Sequence, residues 1–313
     1  MILAINRFSL PALLLAAILL SGCLSQDGPV PSDSSSSLSS NDSTAFGRAN
    51  ASEDASGKIR VAATIAPLGE FVRAVGGDRV TVTVIVPPAA EPHTFEPTPT
   101  QMADLTQADL FVKNGAGLEY WLDRLLQVNE GAMVVDCSQG IELVNESEEE
   151  IDPHIWLSLR NAAVQVGNIC TGLCQVDPQN REFYINNRNA YLQKLSDLDG
   201  QLNRTFAGFQ GRIFIVHHPA WTYFAADYNL TQVALMEEEK DPGPRHLVQV
   251  ISLARQNNIT ALFVEPQFNP RSAEVIAREM NASIVTVDPL AEDYLENMRY
   301  ASRQIALSMN GLP

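Results

Sequence analysis

Eight short apolar runs, rich in β-branched residues, recur along the chain with helical patterns between them. They read RVAATI (60–65), VTVTVIVP (80–87), DLFVKNG (109–115), AMVVDC (132–137), RIFIVHH (212–218), QVALME (232–237), ALFVEPQ (261–267) and SIVTVDP (283–289). Strands that alternate with helices predict an α/β fold with mostly parallel sheets. Four runs lie on each side of a break. Over 178–208 the apolar residues Tyr191, Leu195, Leu198, Leu202 and Phe206 recur at steps of three or four, which is one stripe of a long helix. Asp177 and Pro178 supply the N-cap and first-turn signal for it. A helix of about thirty residues runs roughly 45 Å, enough to lie along two lobes and join them stiffly. The pattern therefore predicts an N-terminal α/β lobe over 58–177, a linking helix over 178–209 and a C-terminal α/β lobe over 210–313. Each lobe is expected to hold a four-stranded, mostly parallel sheet flanked by helices.

The first residues break this pattern. Arg7 precedes FSLPALLLAAILLSGC, an apolar run too short and wrongly flanked for a permanent span, so residues 1–23 read as a secretory signal. Leu20-Ser21-Gly22-Cys23 resembles a lipobox, in which cleavage leaves a lipid-modified cysteine, so Cys23 is expected to be a membrane anchor. Residues 24–57 are rich in Ser, Asp and Gly with few apolar positions, the composition of a disordered tether. The expected location is the extracytoplasmic side of the cell membrane. Seven N-x-S/T sequons, at Asn41, Asn50, Asn145, Asn203, Asn229, Asn258 and Asn281, agree with exposure outside the cell or arise by coincidence.

A formal charge of −16 argues against nucleic acid, whose phosphates need a basic face. Beyond Cys23 only Cys137, Cys170 and Cys174 remain. Cys170 and Cys174, four apart in a predicted helix, read as small buried hydrophobes or as an optional redox pair.

Histidines supply the chemistry. His93 lies in the proline-stiffened loop EPHTFEPTPT, and His154 follows Asp152-Pro153 at another element boundary. His218 and Asp288 end the runs RIFIVHH and SIVTVD, and His93 follows a third run. Ligands of open α/β sheets bind beyond the carboxyl ends of strands, so these four residues are expected to converge between the lobes. Three imidazoles and one carboxylate suit a four-coordinate borderline cation such as Zn²⁺; Ca²⁺ and Mg²⁺ would need mostly oxygen, and Mn²⁺ fits less well. Such histidines must be neutral, so binding is expected to weaken as pH falls through about 6.5.

The segments PHTFEPTPTQMADLTQADLFVKNGAGLEYWLDRL, DPHIWL, HPAWTYFAADYNL, LFVEPQF and VDPL together resemble the metal-binding lipoproteins that feed zinc and manganese ABC importers. The resemblance covers nearly all of 58–313. It implies that the ligands fall on His93, His154, His218 and Asp288. It also implies zinc over manganese, because the third ligand is histidine in zinc-type members and glutamate in manganese-type ones. The partners it implies are a divalent ion as cargo and an importer permease, with the chain acting as a monomer. Glu265 matches a family position near the cleft and is expected to stand behind the ligands or to be a carboxylate at the core's edge, and His217, which faces away from His218 on an extended chain, is expected to pack or to stand behind them.

Zinc-type relatives often carry a long His-rich loop before the second ligand, whereas this chain has only an acidic loop over 146–152, including Glu146, Glu148, Glu149 and Glu150. That run attracts cations loosely or is a solvated turn. His246 reads as a surface or capping residue. An enzyme is the competing class, since catalytic zinc keeps an open position, but no H-E-x-x-H occurs and Asp288 is expected to fill the shell. Surface adhesins of this shape form a third class, for which no residue here encodes a partner surface. The expected mechanism is capture between lobes with small tilts in place of wide hinge closure.

Overall fold

Parallel pairing gathers the apolar runs into two sheets of the same topology. The structure is a computed structural model that describes residues 57–122, 133–145, 150–236, 242–268 and 270–311. The signal segment, Cys23, nearly all of the tether, Asn41, Asn50, Glu146, Glu148 and Glu149 lie outside the described residues.

In chain order the first part comprises β1 (Ile59–Ala63), α1 (Ala66–Gly76), β2 (Val80–Val84), α2 (Pro99–Leu105), β3 (Leu110–Lys113) and β4 (Met133–Asp136). Their sheet has the order β2-β1-β3-β4, all parallel, with Val61 beside both Val82 and Leu110. Two helices follow, α3 (Leu159–Val176) and α4 (Arg181–Phe206). The second part comprises β5 (Ile213–Val216), α5 (Thr222–Asp227), β6 (Thr231–Ala234), α6 (Pro244–Gln256), β7 (Ala261–Val264), α7 (Pro270–Met280), β8 (Ser283–Thr286) and α8 (Tyr294–Met309). Its order, β6-β5-β7-β8, repeats the first and is again parallel. Central strands are covered on both faces, which is why LFV of β3 and ALFV of β7 read as continuous apolar runs.

The long helical run starts where its sequence signal predicts, but its first turn is 3₁₀. Pro178–Asn180 form a 3₁₀ turn, and α4 begins at Arg181. Asp177 is at the N-cap position of that turn, but its Oδ2 accepts from Asn180 Nδ2 (2.6 Å) and Tyr184 Oη (2.7 Å). The helix holds 26 residues, about 39 Å at 1.5 Å per residue. Its stripe of Tyr191, Leu195, Leu198, Leu202 and Phe206 is buried as the spacing predicts, each side chain worth about 1.5–3 kcal/mol of apolar transfer.

That stripe makes the core continuous between the sheets. One cluster holds Phe71 and Val112 from the first sheet's side, Leu198 and Phe206 of α4, and Phe214, Phe224 and Met298 from the second. Polar bonds reinforce the junction. Trp156 Nε1 donates to the Pro289 carbonyl (2.7 Å), Tyr294 Oη donates to the Trp156 carbonyl (2.6 Å), and Ser158 Oγ donates to Asp227 Oδ2 (2.6 Å). Glu70 of α1 accepts from Tyr191 Oη on α4 and from the backbone N–H of Tyr294. Opening the lobes would break several of these bonds, each worth about 1 kcal/mol net and more where a buried partner is left unpaired. Cys137, Cys170 and Cys174 are free, buried thiols.

Candidate metal centre

Three loops at the carboxyl ends of strands bring three imidazoles to one point. His93 follows β2 in the proline-rich loop, which is fastened by Tyr120 Oη donating to the Phe95 carbonyl (3.2 Å) and by the Phe95 ring against Trp121 (6.1 Å). His154 lies in the turn before α3. Asn114, at the end of β3, pins that turn with Nδ2 donating to the Pro153 carbonyl (2.8 Å). The chain can turn tightly beyond Asn114 because Gly115 has φ +79°, and a Cβ there would stand 2.2 Å from Asp136 Oδ1. From the other side, Tyr223 Oη donates to the Asp152 carbonyl (2.9 Å). His218 stands two residues past β5.

The ring atoms that meet are Nε2 nitrogens. His93 Nε2 and His218 Nε2 each lie 3.1 Å from His154 Nε2, and the ligand nitrogens of all three residues fall within 4.8 Å of one another. Four-coordinate zinc with Zn–N bonds of about 2.05 Å separates its nitrogens by about 3.3 Å, so the two measured separations are close to two edges of a tetrahedron. The cavity lined by the three rings with Glu91, Gln267 and Phe268 is about 10 Å³. That is room for one ion or one water and far below the roughly 300 Å³ of an organic-ligand pocket.

Electrostatics favour neutral rings. Burial, reinforced by the charge of a neighbouring ring at His154, lowers His93 to about 3 and drops His218 well below 6.5. Both shifts keep these two rings in the neutral form that a metal ligand needs. Asp152 fixes the tautomer at His154: Oδ1 accepts from both the backbone N–H (2.9 Å) and Nδ1 (2.8 Å), leaving the Nε2 lone pair directed inward.

Asp288 is placed two residues past β8, but its carboxylate stands outside the three-imidazole cluster. Its Oδ1 accepts from Gln267 Nε2 (2.8 Å) and from the Leu290 backbone N–H (2.9 Å), and the residue borders a neighbouring cavity of about 360 Å³ with Arg73 and Glu292. A carboxylate not singled out in the sequence, Glu91, comes nearer: its Oε1 is 3.9 Å from His93 Nε2 and accepts from the His93 backbone N–H (3.1 Å). Burial raises the Glu91 carboxyl.

Glu265, just past β7, is 1 % exposed. Burial pushes its carboxyl up to about 8; the His218 backbone N–H and the Trp221 indole oppose that rise without reaching hydrogen-bond geometry to its oxygens. His217 is not in the imidazole cluster, and its ring packs at a tilt of 51° with its centroid 5.3 Å from that of Phe268. His246 is not a cap: Gly243 occupies that position, and His246 Nε2 lies 3.0 Å from the Ala234 carbonyl, tying α6 to β6. Asp152, Glu91, Gln267 and Asn114 were the participants that sequence reasoning missed. An acid two residues before each of two histidines, in E-P-H and D-P-H, was the available signal, since such side chains close turns onto the second backbone N–H.

The family model described as "ZnuA: Zinc-uptake complex component A periplasmic" matches residues 61–307. The high-affinity zinc uptake system protein ZnuA of Bacillus subtilis is 32% identical over 251 residues, 74% of this chain and 79% of that protein. The manganese-binding lipoprotein MntA of Halalkalibacterium halodurans is 31% identical over 265 residues, 80% of this chain and 87% of that protein. A crystal structure of ZnuA is similar with a TM-score of 0.78 at 38% identity, over 80% of this chain and 99% of that one. Two like parallel sheets around a buried imidazole cluster define a two-lobed, metal-capturing class of protein. The chain belongs to the ZnuA family, the metal-binding solute-binding proteins of zinc and manganese ABC importers.

Proposed function

We propose that the chain captures Zn²⁺ outside the cytoplasm, tethered to the membrane through Cys23, and hands it to the permease of an ABC importer. The observation that carries this reading is the set of Nε2 separations of 3.1 Å around a cavity of about 10 Å³. Nitrogen-rich shells favour zinc over manganese, which takes carboxylate and water oxygens more readily. The assigned ligands are His93, His154, His218 and Asp288, all supplied by a single chain, so a monomer suffices. Asp288 would join by exchanging its bond from Gln267 for one to the ion.

A second reading of the fourth position rests on Glu91, whose Oε1 is 3.9 Å from His93 Nε2. Under either reading a protein carboxylate closes the shell, which favours capture over hydrolysis. Calorimetric titration of metal-stripped protein with Zn²⁺ and Mn²⁺ tests the proposal. One site with tighter zinc is expected, and it should be lost in His93→Ala, His154→Ala and His218→Ala. Manganese binding as tightly as zinc would refute the assignment. Comparing Asp288→Ala with Glu91→Ala shows which carboxylate contributes.

A further inference from the structure

Three of the asparagine sequons occupy one structural position. Asn229, Asn258 and Asn281 have φ of +51°, +53° and +57° and form the turns from α5 to β6, α6 to β7 and α7 to β8. A left-handed residue after a helix favours glycine or asparagine, and the corresponding turn from α1 to β2 uses Gly77 at φ +55°. Turn geometry thus accounts for the asparagines. It makes no demand on the residue two positions later, yet that residue is Thr231, Thr260 and Ser283, a hydroxyl each time.

Register brings these hydroxyl residues to one level. Thr231 pairs with Ile213, Ala261 pairs with Ser283, and Leu262 pairs with Ile215, which puts Thr260 opposite Ile213. All three lie at the amino ends of their strands. His218 and Asp288 lie past the carboxyl ends, a sheet length of about 13 Å away at 3.3 Å per residue. A fourth sequon, Asn203 with Thr205, is on the last turns of α4, which deliver the chain to the start of β5. Asn203, Asn229, Asn258 and Asn281 are all exposed.

We propose that Asn203, Asn229, Asn258 and Asn281 are N-glycosylated, so that the pole of the second sheet opposite the metal centre carries sugar while the cleft face stays bare for the permease. The donor is an oligosaccharide linked through phosphate to a membrane lipid. The Asn Nδ2 forms a bond to the sugar C1 as the C1–O bond to phosphate breaks. The Nδ2 proton passes to a base of the transferase, and the electron pair leaves with the lipid phosphate. Asn145, also exposed, lies instead on the loop leading to His154 and is no part of this face. The inference rests on the extracytoplasmic reading above, because that is where such a transfer meets a folded surface chain.

The test is glycopeptide mapping by mass spectrometry of the full chain purified from the cells that make it. Glycan is expected on Asn203, Asn229, Asn258 and Asn281; an unmodified peptide at any of these four overturns the proposal. Thr231→Val, Thr260→Val and Ser283→Ala keep each asparagine and its turn. Each should lower the intact mass by one glycan and leave zinc affinity unchanged, whereas masses that differ only by the substituted side chain would show that the asparagines serve the turns alone. Zinc titration of the same preparations separates failure of this inference from failure of the metal assignment.

Discussion

Asp152 Oδ1 lies 2.8 Å from His154 Nδ1, and the same oxygen accepts the His154 backbone N–H at 2.9 Å. One carboxylate thereby sets the ring's orientation and its tautomer.

Removing that carboxylate should loosen the central ring. Asp152→Ala is expected to lower zinc affinity by about 10–100-fold, read by competition with a chromogenic chelator. Unchanged affinity would mean that His154 is held by packing alone.

Preference between cations should follow the residue at position 218. His218→Glu replaces a nitrogen donor by an oxygen and should move selectivity toward Mn²⁺, measured as the ratio of the two dissociation constants. A ratio that does not move refutes the role given to His218.

Stability of the metal-free protein should depend on the same rings. His93 is lowered to about 3 and His218 well below its ordinary value, so below about 6.5 the unfolded chain takes up protons that the folded chain refuses. Their contribution is complete above about 6.5 and is lost as pH falls toward about 3 at His93. Thermal unfolding of chelator-treated protein between pH 7.5 and 4.5 should show a declining midpoint, with a shallower decline in a His93→Phe/His218→Phe double variant. An identical pH slope in both proteins would count against the burial argument.

The junction between the lobes offers a separate measurement. Tyr294→Phe removes the bond to the Trp156 carbonyl and leaves that buried oxygen unpaired, an expected cost of about 1–3 kcal/mol in urea unfolding. A loss near zero would show that the carbonyl finds another partner.

Much of the scaffold was legible because its causes are local. The apolar runs at β1 and β7, the stripe on α4 and the proline-stiffened histidine loops depend on residues within a few positions of one another. The helical run does begin at Pro178 with Asp177 at its N-cap, but its first turn is 3₁₀ and the Asp177 carboxylate accepts from Asn180 Nδ2 and Tyr184 Oη, which local pattern does not show. The three acid-proline turns show the limit more sharply. Glu91, Asp152 and Asp288 each close a turn onto the backbone N–H two residues later. In the first two that later residue is a histidine of the cluster, and in the third it is Leu290.

Sequence by itself determined two parallel α/β sheets, the linking helix and the loops that carry His93, His154 and His218, since periodicity and turn chemistry act between near neighbours. Only the tertiary structure decided which polar groups meet. Asp288 is held by Gln267 at 2.8 Å, Glu91 stands 3.9 Å from His93 Nε2, and Trp156 reaches Pro289 across the junction. Those pairings follow from how two separately wound sheets dock against α4, and hydrogen-bond geometry between residues far apart in the chain has no counterpart in local pattern.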